Sequence, residues 1–198
     1  TSNKLIREKH AIASEKSLAN YSFYIGATNS NLGEVLDADP SVVCGIKLFM
    51  GSSTGNMLVN DEPVLRELFS KASMPLACHC ESETLIKKNS SVYFEKYGDE
   101  VPVSFHPYIR SREACYRSSA YAVLLAREYG TRLHILHLST ADELKLLESD
   151  LKAGDKRISA EACLHHLWFD ETAYDKKGMM VKLNPAIKTR FDREALLK

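Results

Sequence analysis

Five short β-rich runs, at residues 21–27, 42–50, 75–81, 133–139 and 157–163, are separated by longer stretches with helical spacing. This alternation constrains the fold more than any other property of the chain. Strand–helix–strand units require a parallel sheet covered by helices, either an open doubly wound sheet or a (β/α) barrel. The helical stretches carry signals of their own. Leu5, Ile12 and Ala19, with Ile6 and Ala13, recur at seven-residue intervals and predict a first helix with one apolar stripe. A second begins at Asp61, with Pro63 in its first turn, and turns Val64, Leu65, Leu68 and Phe69 inward. A third runs from Ser111 to Tyr129, where Gly130 is a natural left-handed stop. Thr140 and Glu143 form a capping box for a fourth, with Leu144, Leu147 and Leu151 as its buried face. Two connections, 51–60 and 88–110, read as long loops of the kind that carry function in compact domains.

Composition excludes several function classes. The chain has 198 residues, enough for one domain and no second. Its 26 Lys and Arg balance 26 Asp and Glu, so no basic excess exists to hold nucleic acid by bulk electrostatics. The longest apolar run, 120–126, falls far short of the roughly 18 residues of a membrane span, so no membrane partner is expected. The five cysteines (Cys44, Cys78, Cys80, Cys115 and Cys163) include no C-x-x-C pair and sit in apolar runs. They favour a reducing, cytoplasmic compartment.

Strand alternation then assigns faces. In 43–50, Val43, Gly45, Lys47 and Phe49 share one side, which places Lys47 in the middle of an apolar strand. A parallel strand is buried on both faces, and an uncompensated ammonium there is costly. Lys47 is therefore a snorkelling lysine, a Schiff-base lysine, or a carbamylated lysine that binds metal. His79 shares a face with Ala77 and Glu81, and His137 with Leu133, Ile135 and Ser139. Both histidines lie near the C-terminal ends of their strands, where parallel α/β folds collect ligands and catalytic groups. Imidazole nitrogens suit zinc and similar divalent ions. His134, out of phase with His137, is expected to face the helix layer and be structural. Cys78 and Cys80 point away from His79, which disfavours a Cys–His metal cluster. Gly51-Ser-Ser-Thr-Gly55 lacks the Lys of a P-loop. His10 is expected to be solvated, and neither His106 nor Glu161 acquires a role from the pattern.

Taken in order, Gly45-Ile-Lys47-Leu-Phe-Met-Gly51, Ala77-Cys-His79-Cys-Glu81 and His134-Ile-Leu-His137-Leu-Ser-Thr140 resemble the cyclic amidohydrolases, and within them the dihydroorotases. Glu161-Ala-Cys-Leu-His-His-Leu167 and Lys182-Leu-Asn184-Pro-Ala-Ile-Lys188 extend the resemblance through most of the chain. It implies a (β/α)₈ TIM barrel with two divalent metal ions, zinc by preference. Lys47 falls at the carboxylated bridging lysine, His79 and His137 at two histidine ligands, and Asn184 at a substrate-binding position. The implied reaction closes carbamoyl aspartate to dihydroorotate in pyrimidine biosynthesis, or opens it again, with a small-molecule substrate and commonly a homo-oligomer.

The match has gaps. The family's first-strand His-x-His is absent, and its catalytic Asp is expected after Lys198, so no catalytic residue lies within the chain. Residues 1–198 are thus expected to supply the third to seventh strand–helix units, the central part of the barrel, and to be inactive alone. Asn184-Pro185-Ala186 replaces the family's Asn-Pro-Pro, and Leu164-His165-His166-Leu167 its Pro-His-His-Leu, so His165 takes no role. Allantoinase, dihydropyrimidinase, a non-catalytic dihydroorotase-like scaffold and a Schiff-base aldolase using Lys47 stand as alternatives.

Overall fold

The structure, a computed structural model, describes residues 2–51, 56–147, 152 and 155–198. Leu151 and residues 52–55, assigned above to a helix face and a loop, lie outside the described residues.

Each β-rich run yields one strand: β1 Tyr24–Gly26, β2 Gly45–Phe49, β3 Leu76–His79, β4 Leu133–Ile135 and β5 Ile158–Ala160. They form one parallel sheet in the order β1-β2-β3-β4-β5. A doubly wound sheet reverses its strand order at a switch point, whereas a barrel adds each strand beside the last. The unreversed order makes this sheet a segment of a (β/α)₈ barrel.

Helices fill the connections. They are α1 Asn3–Lys16, α2 Leu32–Leu36, α3 Glu62–Lys71, α4 Glu83–Tyr97, α5 His106–Ile109, α6 Arg112–Tyr129, α7 Ala141–Leu144, α8 Leu164–Trp168, α9 Ala173–Lys177 and α10 Arg190–Leu196. Side-chain caps set several starts: Asp61 accepts from the Val64 amide, Ser82 from Leu85 and Ser111 from Ala114. Thr140 and Glu143 form the expected capping box, and Gly130 ends α6 at φ 69°.

The main core lies between the sheet's outer face and these helices. Ile25, Ile46, Leu48, Leu76, Cys78, Leu133 and Ile135 project from the strands against Val35, Leu65, Leu68, Phe69, Ala122 and Leu125. One other contact draws the chain just past β2 against the chain just past β3. A Cβ on Gly51 would lie 1.8 Å from the Glu81 carbonyl oxygen, so only glycine permits this approach. A smaller cluster of Ala173, Tyr174, Val181 and Ile187 packs against Val103 and Phe169. It fastens the 103–109 segment to the chain beyond β5.

Four expectations need correction. In α1 only Ile6 is buried, while Leu5 and Ile12 are exposed and Ala19 lies past the helix end, so the seven-residue stripe is not its packed face. His10 is half-buried, and its Nε2 meets the Val42 carbonyl at 2.8 Å instead of being free in solvent. The 88–110 stretch is largely helical, because α4 continues to Tyr97 and a 3₁₀ turn leads into α5. Its periodicity is weak since Ile86 is the one buried residue of α4, and contact comes instead from Tyr93 stacking on Phe105 at 4.8 Å. The fourth correction concerns His134 and His137.

Candidate active site

Lys47 stands at the centre of β2, in register with Gly26 on one side and Ala77 on the other. Alternation sends Ile46 and Leu48 into the helix-side core and leaves Gly45, Lys47 and Phe49 on the opposite face, as expected. The Lys47 ammonium donates to the Leu48 carbonyl at 3.3 Å and sits 3.8 Å from the Phe49 ring centroid. Burial lowers its pKa to about 8, partly opposed by the Cys78 and Cys80 thiols and the Glu161 carboxylate.

His79 ends β3, and its Nδ1 faces His137 Nε2 at 3.0 Å, with ring centroids 4.8 Å apart. His137 arrives there by an unexpected route. Leu133 and Ile135 point into the helix-side core, and His134, paired with Ala77, faces the Lys47 side of the sheet. Simple alternation would therefore turn His137 away from His79. Instead β4 ends at Ile135, and His137 adopts φ 43°, a left-handed conformation that is uncommon for a non-glycine residue. That turn swings the imidazole onto the inner face.

The turn is held from behind. Glu143, buried under α7, accepts from the Ser139 and Thr140 amides, the Thr140 hydroxyl and, at 2.6 Å, the Ser119 hydroxyl. The Leu138 amide donates to the Glu161 carbonyl at 2.7 Å, which ties the same segment to β5. His134 is consequently not a helix-layer residue. It meets Ser159 Oγ through Nδ1 at 2.9 Å and Glu161 through Nε2 at 3.4 Å on the inner face, and this contact gives Glu161 its place.

Burial lowers the His137 pKa to about 3, aided by the charges of His79 and Lys47. Its Nδ1 is buried without a hydrogen-bond partner among the described residues. His79 Nε2 meets the fully buried Glu81 at 3.0 Å, and Arg110 donates to the same carboxylate oxygen. Burial pushes the Glu81 pKa up, but the His79 hydrogen bond and the Arg110 charge outweigh it and hold the carboxyl below its ordinary value. Glu81 carries no role in the sequence reading. Its position two residues after His79, on the same strand face, was the available signal.

Two ring nitrogens directed at each other beside a desolvated lysine, with an orphaned imidazole nitrogen behind, fit a divalent cation. The described residues add no third His, Cys, Asp or Glu to complete a cluster. Cys78 and Cys80 lie in the helix-side core, away from the pair.

Asn184 is exposed, and its side-chain carbonyl lies 3.1 Å from His106 Nε2, which also meets the Leu183 carbonyl at 2.9 Å. The following Asn184–Pro185 peptide bond is cis, and the buried His166 donates from Nε2 to the Pro185 carbonyl at 3.0 Å. His106 and His166 thus clamp residues 183–185. His165 is exposed on α8. Among the described residues His79 and His137 are in direct contact, Lys47 shares their sheet face through its pairing with Ala77, and no hydrogen bond joins Asn184 to any of the three.

No family model matches the chain. The dihydroorotase of Methanosphaera stadtmanae is 29% identical over 187 residues, which cover 93% of this chain and 41% of that protein. The allantoinase of Solibacter usitatus is 30% identical over 194 residues, again 93% of this chain and 41% of the relative. The chain is similar to the cyclic amidohydrolases over nearly its whole length. Among solved structures, the L-hydantoinase (dihydropyrimidinase) of Arthrobacter aurescens superposes with a TM-score of 0.89 at 20% identity. That superposition covers 99% of this chain and 44% of the hydantoinase. The chain therefore spans about two-fifths of the length of the cyclic amidohydrolases it matches, and at this identity the hydantoinase likeness speaks for the barrel fold alone.

Proposed function

We propose that the chain is the central part of a metal-dependent dihydroorotase, supplying the third to seventh strand–helix units of its barrel. The observation that carries this reading is the 3.0 Å approach of His79 Nδ1 to His137 Nε2 on the sheet face that also holds the half-buried Lys47. Lys47, His79 and His137 would hold divalent cations, zinc by the nature of the donors. Such ions, when bound, polarise an amide carbonyl and lower the pKa of water.

The chain's own groups prepare that site. A desolvated lysine exists partly as the free amine, the form that adds to carbon dioxide. The Nζ lone pair would bond to carbon as one C=O π bond opens and a proton leaves to solvent, so that a misplaced cation would become a carbamate anion able to hold a divalent cation. His79 is oriented by Glu81, and His137 by the turn that Glu143 fastens. Asn184, steadied by His106, is assigned to the substrate ring, and the Asp that moves a proton to the leaving nitrogen is assigned to the chain beyond Lys198.

The similarity to an allantoinase keeps a second cyclic amide in view. Full-length protein is expected to hydrolyse dihydroorotate and to close carbamoyl aspartate. Turnover of allantoin or a hydantoin with none of dihydroorotate would move the assignment to that relative's substrate. Lys47→Ala should lower kcat by about 10³-fold, corresponding to the several kcal/mol that metal polarisation supplies. Borohydride trapping of a substrate adduct on Lys47 would instead establish a Schiff-base aldolase. Full-length protein that binds no metal and turns over none of these amides would establish a scaffold.

A further inference from the structure

The metal reading requires that His79 and His137 both offer a lone pair to the space between them. A neutral imidazole carries one proton on its two nitrogens, so the partner of one nitrogen decides the state of the other. His79 Nε2 lies 3.0 Å from Glu81 Oε2, and an ionised carboxylate only accepts. The proton of His79 therefore sits on Nε2 and leaves Nδ1 bare, facing His137.

Glu81 has little freedom to do otherwise. Its side chain is fully buried, Arg110 donates to the same oxygen that receives His79, and Oε1 has no hydrogen-bond partner among the described residues. The close approach of Gly51 to the Glu81 carbonyl fixes the backbone at this point. Both polar contacts of the carboxylate thus converge on one atom, aimed at one ring nitrogen.

Resting on the metal reading above, we propose that Glu81, anchored by Arg110, is a positioning residue that holds His79 as its Nε2–H tautomer and thereby sets the cation affinity of the Lys47–His79–His137 site. Outer partners of this kind are worth about 10–100-fold in metal affinity.

The test uses full-length protein with the double substitution Glu81→Leu/Arg110→Met. It removes the two partners of the buried ion pair together, a change that is often neutral for stability. Glu81→Gln serves as a second, nearly isosteric variant. Ring ¹⁵N shifts of His79 in metal-free protein report the tautomer, and chelator competition reports zinc affinity. In wild type, His79 should carry its proton on Nε2. In the folded double variant the tautomers should mix and zinc affinity should fall by about 10–100-fold. A support that acts on the fold alone would shift the unfolding midpoint and leave both readouts in place, and that result overturns the proposal. Wild type that takes no zinc defeats the metal reading itself, whereas wild type and double variant that bind zinc equally defeat only the role of Glu81.

Discussion

At the residue scale, the partly and fully buried basic groups of this molecule include some that face the site and others that support it. Lys47 and His137 lose pKa to partial burial on the inner face, and the Lys47 charge lowers His137 further. His166 loses pKa for the same reason, to about 4, but serves the 183–185 segment by donating to the Pro185 carbonyl. Its unfolded pKa lies near 6.5, so between pH 6.5 and 4 the unfolded chain binds the extra proton. The contribution of His166 to stability is therefore complete above pH 6.5 and is lost as pH falls toward 4, at most about 3 kcal/mol. His166→Gln should flatten the decline in urea-unfolding free energy between pH 7 and 4.5. A slope equal to wild type would show that His166 is not buried as a neutral ring. Lys47 could be singled out from sequence because a charged residue inside an apolar strand is conspicuous. His106 and His166 could not, since their partners at residues 183–185 are distant along the chain and no spacing rule links them.

At the element scale, β2 and β3 obeyed strict alternation, and Lys47 and His79 fell on the face their positions implied. β4 did not. His137 shares the face of His79 because the strand stops at Ile135 and the chain turns through φ 43°, a local conformation that no apolar periodicity encodes. His134 faces inward for a different reason: within β4, Leu133 and Ile135 take the helix-side face and alternation leaves His134 on the inner one. Helix ends beyond the turn keep it in place. Asp192 of α10 is fully buried, accepts from the Ala141 amide at 2.9 Å and faces Arg112 at 3.3 Å, so it joins the start of α7 to α10 and α6. Asp192→Ala should cost about 1–3 kcal/mol, the scale for leaving the buried Ala141 amide without its acceptor. Asp142→Ala, which removes a more exposed Arg112 partner, should cost under about 1 kcal/mol. Denaturant titration of the two variants checks the contrast, and equal losses would deny Asp192 its linking role. α4 escaped the periodicity search because it buries one residue, Ile86, and presents most of its length to solvent.

For the whole molecule, what matters is the order of the strands. A sheet that adds each strand beside its predecessor curves toward closure, and among the described residues β1 and β5 each pair on one side only. Two imidazoles and a lysine supply fewer donors than a closed pair of metal sites requires. The 198-residue chain by itself is accordingly expected to hold at most one cation weakly and to show no dihydroorotate turnover, with metal analysis after dialysis and a direct assay as the checks. Measurable turnover by the chain alone would overturn that expectation. The sequence by itself determined the number of strands, their alternation with helices and the motifs that resemble cyclic amidohydrolases. All of these are local in the chain and repeat with the periods of strand and helix. Only the tertiary structure decided between barrel and doubly wound sheet, turned His137 toward His79, and brought Arg110 to Glu81 and His106 to Asn184. Those outcomes depend on which strands become neighbours and on a single left-handed residue, and the energies involved belong to contacts between residues tens of positions apart.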